Sequence, residues 1–104
     1  MKVYLSPLAE YKLEKLLTYL EEEWGKKIRD NYLEQFVNKT IQVSNFPSSN
    51  PKIDEFDGVI KCVVTSQSSF YYRIRQNEVE IITLVDTRQK PDRIIKEIRD
   101  HFKS

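Results

Sequence analysis

Hydrophobic positions in the first part of the chain follow a helical period. A short β-prone run, Val3–Leu5, is stopped by Ser6 and Pro7, which suit the N-cap and the first turn of a helix. An apolar stripe follows with charged residues between its members, and Gly25 can take the left-handed conformation that ends helices. The members of the stripe are Leu13, Leu16, Leu17, Leu20 and Trp24. The pattern predicts a strand followed by a helix over residues 7–24.

A second apolar stripe begins directly after that glycine and predicts another helix over residues 26–45, before Phe46 and Pro47 interrupt the pattern. Its side chains form two columns, Ile28, Tyr32 and Phe36 in one and Leu33, Val37 and Ile41 in the next. Two amphipathic helices joined at a single glycine are expected to pack as an antiparallel hairpin. Trp24 is expected to be a core anchor at the turn of this hairpin, and its alternative role is contact with a partner protein.

The second half of the chain changes to the pattern of β-strands. A turn-rich segment, residues 47–57, precedes three runs of β-branched and aromatic residues. The runs are Val59–Thr65, Phe70–Arg75 and Val79–Val85. They are separated by the short polar turns Ser66–Ser69 and Gln76–Glu78, so the three strands are predicted to pair antiparallel.

The last of these strands is apolar on both faces, which predicts a central position in the sheet beneath the helical hairpin. Pro91 then opens a third helix. The buried stripe of this helix is expected to contain Ile94, Ile95, Ile98 and Phe102. The order of elements is β-α-α-β-β-β-α, and the predicted fold class is α+β: a short N-terminal strand, an antiparallel helical hairpin packed on a small antiparallel sheet, and a C-terminal helix.

Composition narrows the class of protein. The chain has 104 residues, of which 32% are charged and 39% hydrophobic, values typical of a folded, soluble domain. We expect one domain over residues 1–104, because this length leaves no room for a second core. The apolar runs are too short for a membrane span or a secretion signal, which makes the cytoplasm the expected location. A single cysteine, Cys62, and the lack of Cys/His pairs at ligand spacing predict no disulfide, metal site or cofactor.

Charge is distributed unevenly along the chain. The net charge is +1, made up of −2 over residues 1–57 and +3 over residues 58–104. Four cations, Arg73, Arg75, Arg88 and Lys90, are candidates for a patch that binds a phosphate or an acidic partner. The alternative is that arginines on an exposed strand face only keep the sheet edge soluble.

Four segments carry a resemblance to a known family. They are Tyr4–Ala9, Tyr19–Gly25, Phe70–Ile74 following Gly58, and Val79–Pro91. In this order they resemble the first strand and helix, the Trp-Gly helix boundary, the aromatic third strand and the Arg-Gln-x-Pro-like tail of the bacterial RelE/ParE toxin superfamily. The resemblance implies the toxin of a type II toxin–antitoxin, or plasmid stabilisation, module.

The superfamily contains two mechanisms, and RelE-like members cut messenger RNA on the ribosome. That reaction needs cations to stabilise the transition state and groups that move protons to and from the reacting oxygens. By resemblance, Arg88 stands where these members carry a phosphate-contacting arginine, and Lys61 lies one register from their lysine pair. An endoribonuclease of this kind is the alternative hypothesis, and its candidate residues are Lys61, Arg73 and Arg88.

Three further positions argue against that mechanism. Ser69 stands at the family's third-strand arginine, Ile94 at its C-terminal catalytic tyrosine, and Asp86 where other members use histidine. Most of the acid–base groups are therefore absent, and we assign no catalytic residue.

ParE-like members resemble the chain better, in the two long helices and the Trp-Gly boundary. This resemblance implies a toxin that binds DNA gyrase and is neutralised by a cognate antitoxin, with Arg73, Arg75, Arg88, Lys90 and Trp24 as candidate contact residues. A degenerate member that binds only its antitoxin is a third possibility. The expected assemblies are a homodimer or a toxin–antitoxin hetero-oligomer.

Overall fold

Three helices and four strands follow one another in the predicted order. The structure, a computed structural model, describes residues 1–86 and 88–103; Thr87, in the segment that resembles the toxin superfamily, and Ser104 lie outside this description. The elements are β1 (Lys2–Leu5), α1 (Pro7–Trp24), α2 (Lys26–Asn45), β2 (Ile60–Thr65), β3 (Ser68–Arg75), β4 (Glu78–Asp86) and α3 (Pro91–Lys103). Both predicted helices of the hairpin are confirmed.

The four strands form one sheet in the order β1-β4-β3-β2, which confirms the central position of β4. The predicted antiparallel pairing of β2, β3 and β4 is confirmed. Strand β1, whose direction was not predicted, pairs parallel with β4 from Lys2 opposite Glu78 to Leu5 opposite Ile81. Tight turns force antiparallel pairing only between consecutive strands. No tight turn joins β1 to β4. Because two helices and two strands lie between them in the chain, β1 can pair with β4 in either direction.

Local residue chemistry explains two of the boundaries. Ser6 caps α1, since its Oγ accepts a hydrogen bond from the backbone N–H of Ala9 at 3.1 Å and donates one to the carbonyl of Ile82 at 2.6 Å. The start of α1 is thereby fixed to the central strand. Gln76 and Asn77 both have positive φ, as a two-residue β3–β4 turn of type I′ requires.

The two faces of the sheet carry separate cores. The hairpin of α1 and α2 covers one face, and the core residues there include Phe36, Phe70, Tyr72 and Ile81. Helix α3 covers the other face, where its Ile94 and Ile98 share a core with Tyr71, Ile82 and Val85. We name these the hairpin-side core and the α3-side core. Because β4 supplies side chains to both, its apolar character on two faces follows from its position.

Helix α2 buries only one of its two predicted columns. Its buried residues are Tyr32, Phe36 and Val43, whereas Leu33, Val37 and Ile41 are exposed and Ile28 is too. The second apolar column of α2 is therefore not part of the core. An α-helix lying on a sheet buries the strip that faces the strands, and the neighbouring column is left in solvent unless another element covers it.

Two further predictions fail at element ends. Trp24 is not a core anchor, because 66% of its surface is exposed and the hairpin-side core extends along α1 only as far as Leu20. Ser68 and Ser69 were predicted in a turn but are buried in β3. The hydroxyl of Ser68 lies 2.7 Å from that of Tyr32, and this buried hydrogen bond compensates for burying the polar group.

Candidate functional site

A small recess lies at the end of the sheet where β3 begins and β4 ends. Its volume is about 120 Å³, and Lys61, Ser69, Tyr71, Asp86 and Ile94 are among the residues that line it. These include the positions at which the family resemblance places nuclease groups, so the fold brings them together around one point. The register supports this placement, since Lys61 lies opposite Tyr71 and Ser69 lies opposite Val85.

The side chains in the recess are poorly suited to move protons. Its ionisable groups are Lys61, Tyr71 and Asp86. Burial, with a smaller contribution from the charge of Glu55, raises the pKa of Tyr71, so its phenol stays protonated at neutral pH. Asp86 accepts hydrogen bonds from the backbone N–H of Arg88 at 2.8 Å and from its guanidinium at 3.3 Å. Ser69 and Ile94 carry no group that titrates near neutrality.

The four cations that the sequence marked as one candidate patch fall into two groups. Arg75 lies opposite Glu78 at the turn end of the β3–β4 hairpin, while Ser68 and Asp86 form the other end. Arg73 belongs to the turn end, and Arg88 and Lys90 follow the opposite end. Six residue steps from position 69 to position 75 span about 20 Å of strand. The structure therefore does not bring Arg73 and Arg75 together with Arg88 and Lys90.

Arg73 is held in a buried network around Glu80. Its Nε lies 2.5 Å from Glu80 Oε1, and its guanidinium stacks at 4.6 Å over the ring of Phe102. Glu80 Oε1 also lies 3.2 Å from His101 Nε2, and the hydroxyl of Tyr4 donates to Glu80 Oε2 at 3.1 Å. These contacts tie β1, β3, β4 and α3 together, which is a structural role for Arg73.

The electrostatics of this network keep Glu80 ionised. Burial alone would raise the pKa of Glu80, but the hydrogen bonds and charges of Arg73 and His101 outweigh it and lower the pKa below its ordinary value. Burial, followed by the hydrogen bond to Glu80, raises the pKa of Tyr4, so that its hydroxyl remains a donor.

A larger opening, which we name the α1 cleft, lies between α1 and the segment that joins β4 to α3. Its volume is about 920 Å³, and its lining residues are Leu8, Tyr11, Lys12, Lys15, Leu16, Tyr19, Asp86, Arg88, Gln89, Lys90, Arg93 and Glu97. In the structure, Arg88 and Lys90 therefore lie near cations other than the Arg73 and Arg75 with which the sequence grouped them. They stand opposite Lys12 and Lys15 of α1 and beside Arg93 of α3.

Lys12 joins three elements in the α1 cleft. Its Nζ lies 2.8 Å from Glu97, 3.3 Å from Thr83 Oγ1 and 3.2 Å from Gln89 Oε1. This ammonium is mostly buried and its charge is matched by Glu97. It therefore fixes the cleft rather than presenting a free charge to a ligand.

Arg88 forms part of one wall. Its guanidinium lies 5.4 Å above the ring of Tyr19 and bonds Asp86 at 3.3 Å, and the hydrogen bond to Asp86 is the main cause that raises its pKa. The guanidinium is charged at every physiological pH. Arg88 therefore links α1 to the end of β4 by a cation–π contact and an ion pair.

A second pocket of about 290 Å³ continues from the α1 cleft toward the end of α1. It is lined by Leu16, Tyr19, Leu20, Trp24, Tyr32, Thr65, Gln67, Ser68, Asp86 and Arg88. The exposed side of Trp24 borders this pocket. The sequence marked Trp24 for a partner contact only as an alternative, and the structure places it in a groove beside Arg88.

Several lining residues of the α1 cleft were missed by sequence reasoning. Tyr11, Lys15 and Tyr19 are spaced four residues apart and therefore share one column of α1. This spacing could have predicted that the three side chains form one continuous surface. Arg93 stands in the first turn of α3. Its position opposite α1 depends on how α3 packs, which no local pattern contains.

No described helix has the length and apolar character needed to cross a bilayer. Within residues 1–86 and 88–103, no three His, Cys, Asp or Glu side chains are grouped closely enough to bind a metal ion.

Comparison with known proteins identifies the fold. No family model and no curated protein matches the sequence. Among solved structures, a chain of the chromosomal ParDE TA system from P. aeruginosa matches with a TM-score of 0.70 and 14% identity, over 83% of this chain and 95% of that one. The YoeB/ParE toxin from Agrobacterium tumefaciens matches with a TM-score of 0.62 and 14% identity, over 83% and 98%. The chain therefore has a RelE/ParE-like toxin fold.

Proposed function

We propose that the protein is the toxin of a type II toxin–antitoxin module, that it acts by binding DNA gyrase, and that a cognate antitoxin neutralises it in the cytoplasm. One observation carries the choice of mechanism. The recess at the end of the sheet gathers the positions of the RelE-like nuclease groups, and it contains Ser69, Asp86 and Ile94 at three of them. A recess that lacks the arginine, the tyrosine and the histidine that the resemblance places at these positions favours action through protein binding.

The endoribonuclease alternative is weakened by the position of Arg73. This guanidinium is bound to Glu80 and stacked on Phe102, away from the recess that contains Lys61. Of the three candidate residues for RNA cleavage, only Lys61 lines the recess, and Arg88 lies beside it. A lysine and an arginine can stabilise phosphate charge, but neither supplies a base near neutral pH.

The surfaces proposed for the antitoxin are an edge of the sheet and the outer side of the hairpin. Strands β1 and β2 stand at the two edges, where an extended segment can add a strand. The start of β2 already pairs with Lys52, so β1 and the end of β2 are the proposed edges. Leu33, Val37 and Ile41 form an exposed apolar column on α2, which suits the apolar face of a partner helix. A toxin–antitoxin hetero-oligomer then covers apolar surface that the chain leaves exposed by itself.

Co-expression with the protein encoded in the neighbouring small reading frame tests the pairing. We expect a stable complex that co-purifies, and substitution of Val37 by Glu to weaken it, because a charge is placed in the apolar column. Glu34→Gln, three residues earlier on the exposed side of α2, is the matched control. Two folded partners that elute separately would contradict a toxin–antitoxin role.

The target is tested by induction in cells and by assays with purified gyrase. We expect gyrase-linked DNA breaks and inhibited supercoiling while ribosome-bound transcripts stay intact, with Arg88→Ala weakening the effect in part and the exposed Arg99→Ala leaving it unchanged. Codon-phased cuts in messenger RNA that Arg88→Ala abolishes, with supercoiling unaffected, would favour the endoribonuclease. Antitoxin binding without either effect would identify a degenerate member.

A further inference from the structure

The α1 cleft and the pocket beside Trp24 form one groove. Both are lined by Leu16, Tyr19, Asp86 and Arg88, so they are continuous. The groove follows α1 from Tyr11 to Trp24, a distance of 13 residues or about 20 Å of helix. An opening of this length fits an extended ligand better than a compact one. We name it the α1 groove.

The charge of the groove is positive after its internal ion pairs are counted. Its two acidic side chains, Glu97 and Asp86, are paired with Lys12 at 2.8 Å and Arg88 at 3.3 Å. Lys15, Lys90 and Arg93 have no ion pair with any side chain in residues 1–86 and 88–103, and all three are exposed. They stand on both walls, since Lys15 belongs to α1 and the other two precede or begin α3.

Exposed aromatic rings line the same groove. The exposed fractions are 56% for Tyr11, 40% for Tyr19 and 66% for Trp24, and none of the three belongs to either core. The face of an aromatic ring is electronegative, so it attracts cations and repels carboxylates. Cations already stand over two of these rings, Lys15 over Tyr11 and Arg88 over Tyr19. An acidic peptide therefore finds cations here, but gains nothing from the ring faces.

We propose that the α1 groove binds single-stranded nucleic acid. The backbone phosphates contact Lys15, Lys90 and Arg93, and bases stack on Tyr19 and Trp24. A cationic groove combined with aromatic platforms is the arrangement by which proteins hold single strands with little sequence preference. This inference goes beyond the proposed function, because it assigns a ligand other than gyrase or the antitoxin and no reaction in the recess. The groove shares Arg88, Lys90 and Trp24 with the candidate gyrase contacts.

Trp24 gives the binding a direct signal, since it is the only tryptophan of the chain. Titration of the full-length protein with a short oligothymidylate is expected to quench the Trp24 fluorescence as bases stack on the ring. A fluorescein-labelled copy of the same strand gives the affinity by anisotropy. The logarithm of the association constant is expected to fall with the logarithm of salt concentration, by about 0.7 for each phosphate contact.

Matched double variants distinguish binding in the α1 groove from general attraction of the oligonucleotide to positive charge. Lys15→Ala/Arg93→Ala is expected to weaken oligothymidylate binding about tenfold and to reduce the salt slope by about 1.4, as loss of two phosphate contacts requires. Lys52→Ala/Arg99→Ala removes the same two residue types from exposed positions outside the groove and is expected to leave both quantities unchanged. Tyr19→Ala is expected to weaken binding about tenfold with the salt slope unchanged.

Four outcomes would overturn the inference. Absence of oligothymidylate binding is one, and binding without a change in Trp24 fluorescence is another. Equal losses in the two double variants would indicate unspecific attraction to positive charge. Tighter binding of an oligoglutamate peptide than of the oligonucleotide would assign the groove to an acidic protein segment. All the substituted side chains are exposed, so circular dichroism is expected to show an unchanged fold.

Discussion

Replacing Glu80 with Gln tests whether the buried network holds the fold together. Glu80 is only 6% exposed. Its carboxylate oxygens lie 2.5 Å from Arg73 Nε, 3.1 Å from the Tyr4 hydroxyl and 3.2 Å from His101 Nε2. An amide has nearly the same shape but removes the negative charge, so that the Arg73 guanidinium remains in a partly buried place without its counter-ion. Glu80→Gln therefore isolates the electrostatic part of the network from its packing.

The size of the effect follows from the burial of each partner. A hydrogen bond to a charged group contributes about 1.5–3 kcal/mol. The Arg73 side chain is 24% exposed and recovers some hydration, so we expect a loss of about 2 kcal/mol in the free energy of unfolding. For a domain of this length the loss corresponds to a Tm lower by about 10 °C.

Urea unfolding followed by circular dichroism at neutral pH measures this difference. Glu78→Gln is the matched control, because Glu78 lies two residues earlier on the same strand at its more exposed end and we expect its substitution to change the free energy by less than about 0.5 kcal/mol. If the two variants unfold with the same free energy, the network does not stabilise the fold and the structural role given to Arg73 is wrong.

The pH dependence gives an independent check. The folded-state pKa of Glu80 lies below the ordinary 4.5, so the contribution of the carboxylate is complete above that value and disappears as the pH falls through the lower folded pKa. The stability difference between the parent protein and Glu80→Gln is therefore expected to decrease in acid below about pH 4.5. A difference that stays the same throughout acid titration would refute the assignment.

Four substitutions test other features by the free energy of unfolding. Tyr32→Phe removes the buried hydrogen bond to Ser68 and is expected to cost about 1 to 2 kcal/mol, since the serine hydroxyl loses its partner. Trp24→Ala is expected to change stability by less than about 0.5 kcal/mol, whereas Phe36→Ala in the hairpin-side core is expected to cost about 3–5 kcal/mol. Gly25→Ala is expected to cost about 1–2 kcal/mol, because φ at this residue is +93°. A loss above 2 kcal/mol for Trp24→Ala, or none for the other three, would contradict the packing described.

The period of the apolar residues predicted the helices and strands, but it did not predict how far the core extends beneath each of them. The apolar residues of β4 predicted its central place, and the glycine between the helices predicted the hairpin. The same periodicity failed for Trp24 and for the column of Leu33, because spacing gives the phase of a helix and not the point where the core beneath it ends. Ser68 failed for a different reason, since its burial depends on the hydroxyl of Tyr32, 36 positions away.

The recess and the α1 groove also differ in how far the sequence alone could predict them. The recess was predictable because the family resemblance assigned Ser69, Asp86 and Ile94 in advance. The α1 groove was not, because Lys15 and Arg93 are 78 positions apart and meet only when α1 and α3 both pack on β4. Charge along the chain marked a basic C-terminal half, but the cations that share the groove come from both halves.

The parallel pairing of β1 with β4 sets an order of assembly during synthesis. The pairing of Lys2 with Glu78 joins residues 76 positions apart, whereas tight turns connect β2 to β3 and β3 to β4. Closing so long a loop costs about 4 kcal/mol of chain entropy, so this pairing gains little until β4 has been made. The strand that leaves the ribosome first is thus the last to join the sheet. A chain that stops before residue 78 lacks the Ile82 carbonyl that holds Ser6, and with it the anchor that sets α1 against the sheet. A truncated product therefore lacks one wall of the groove, and only a nearly complete chain presents it.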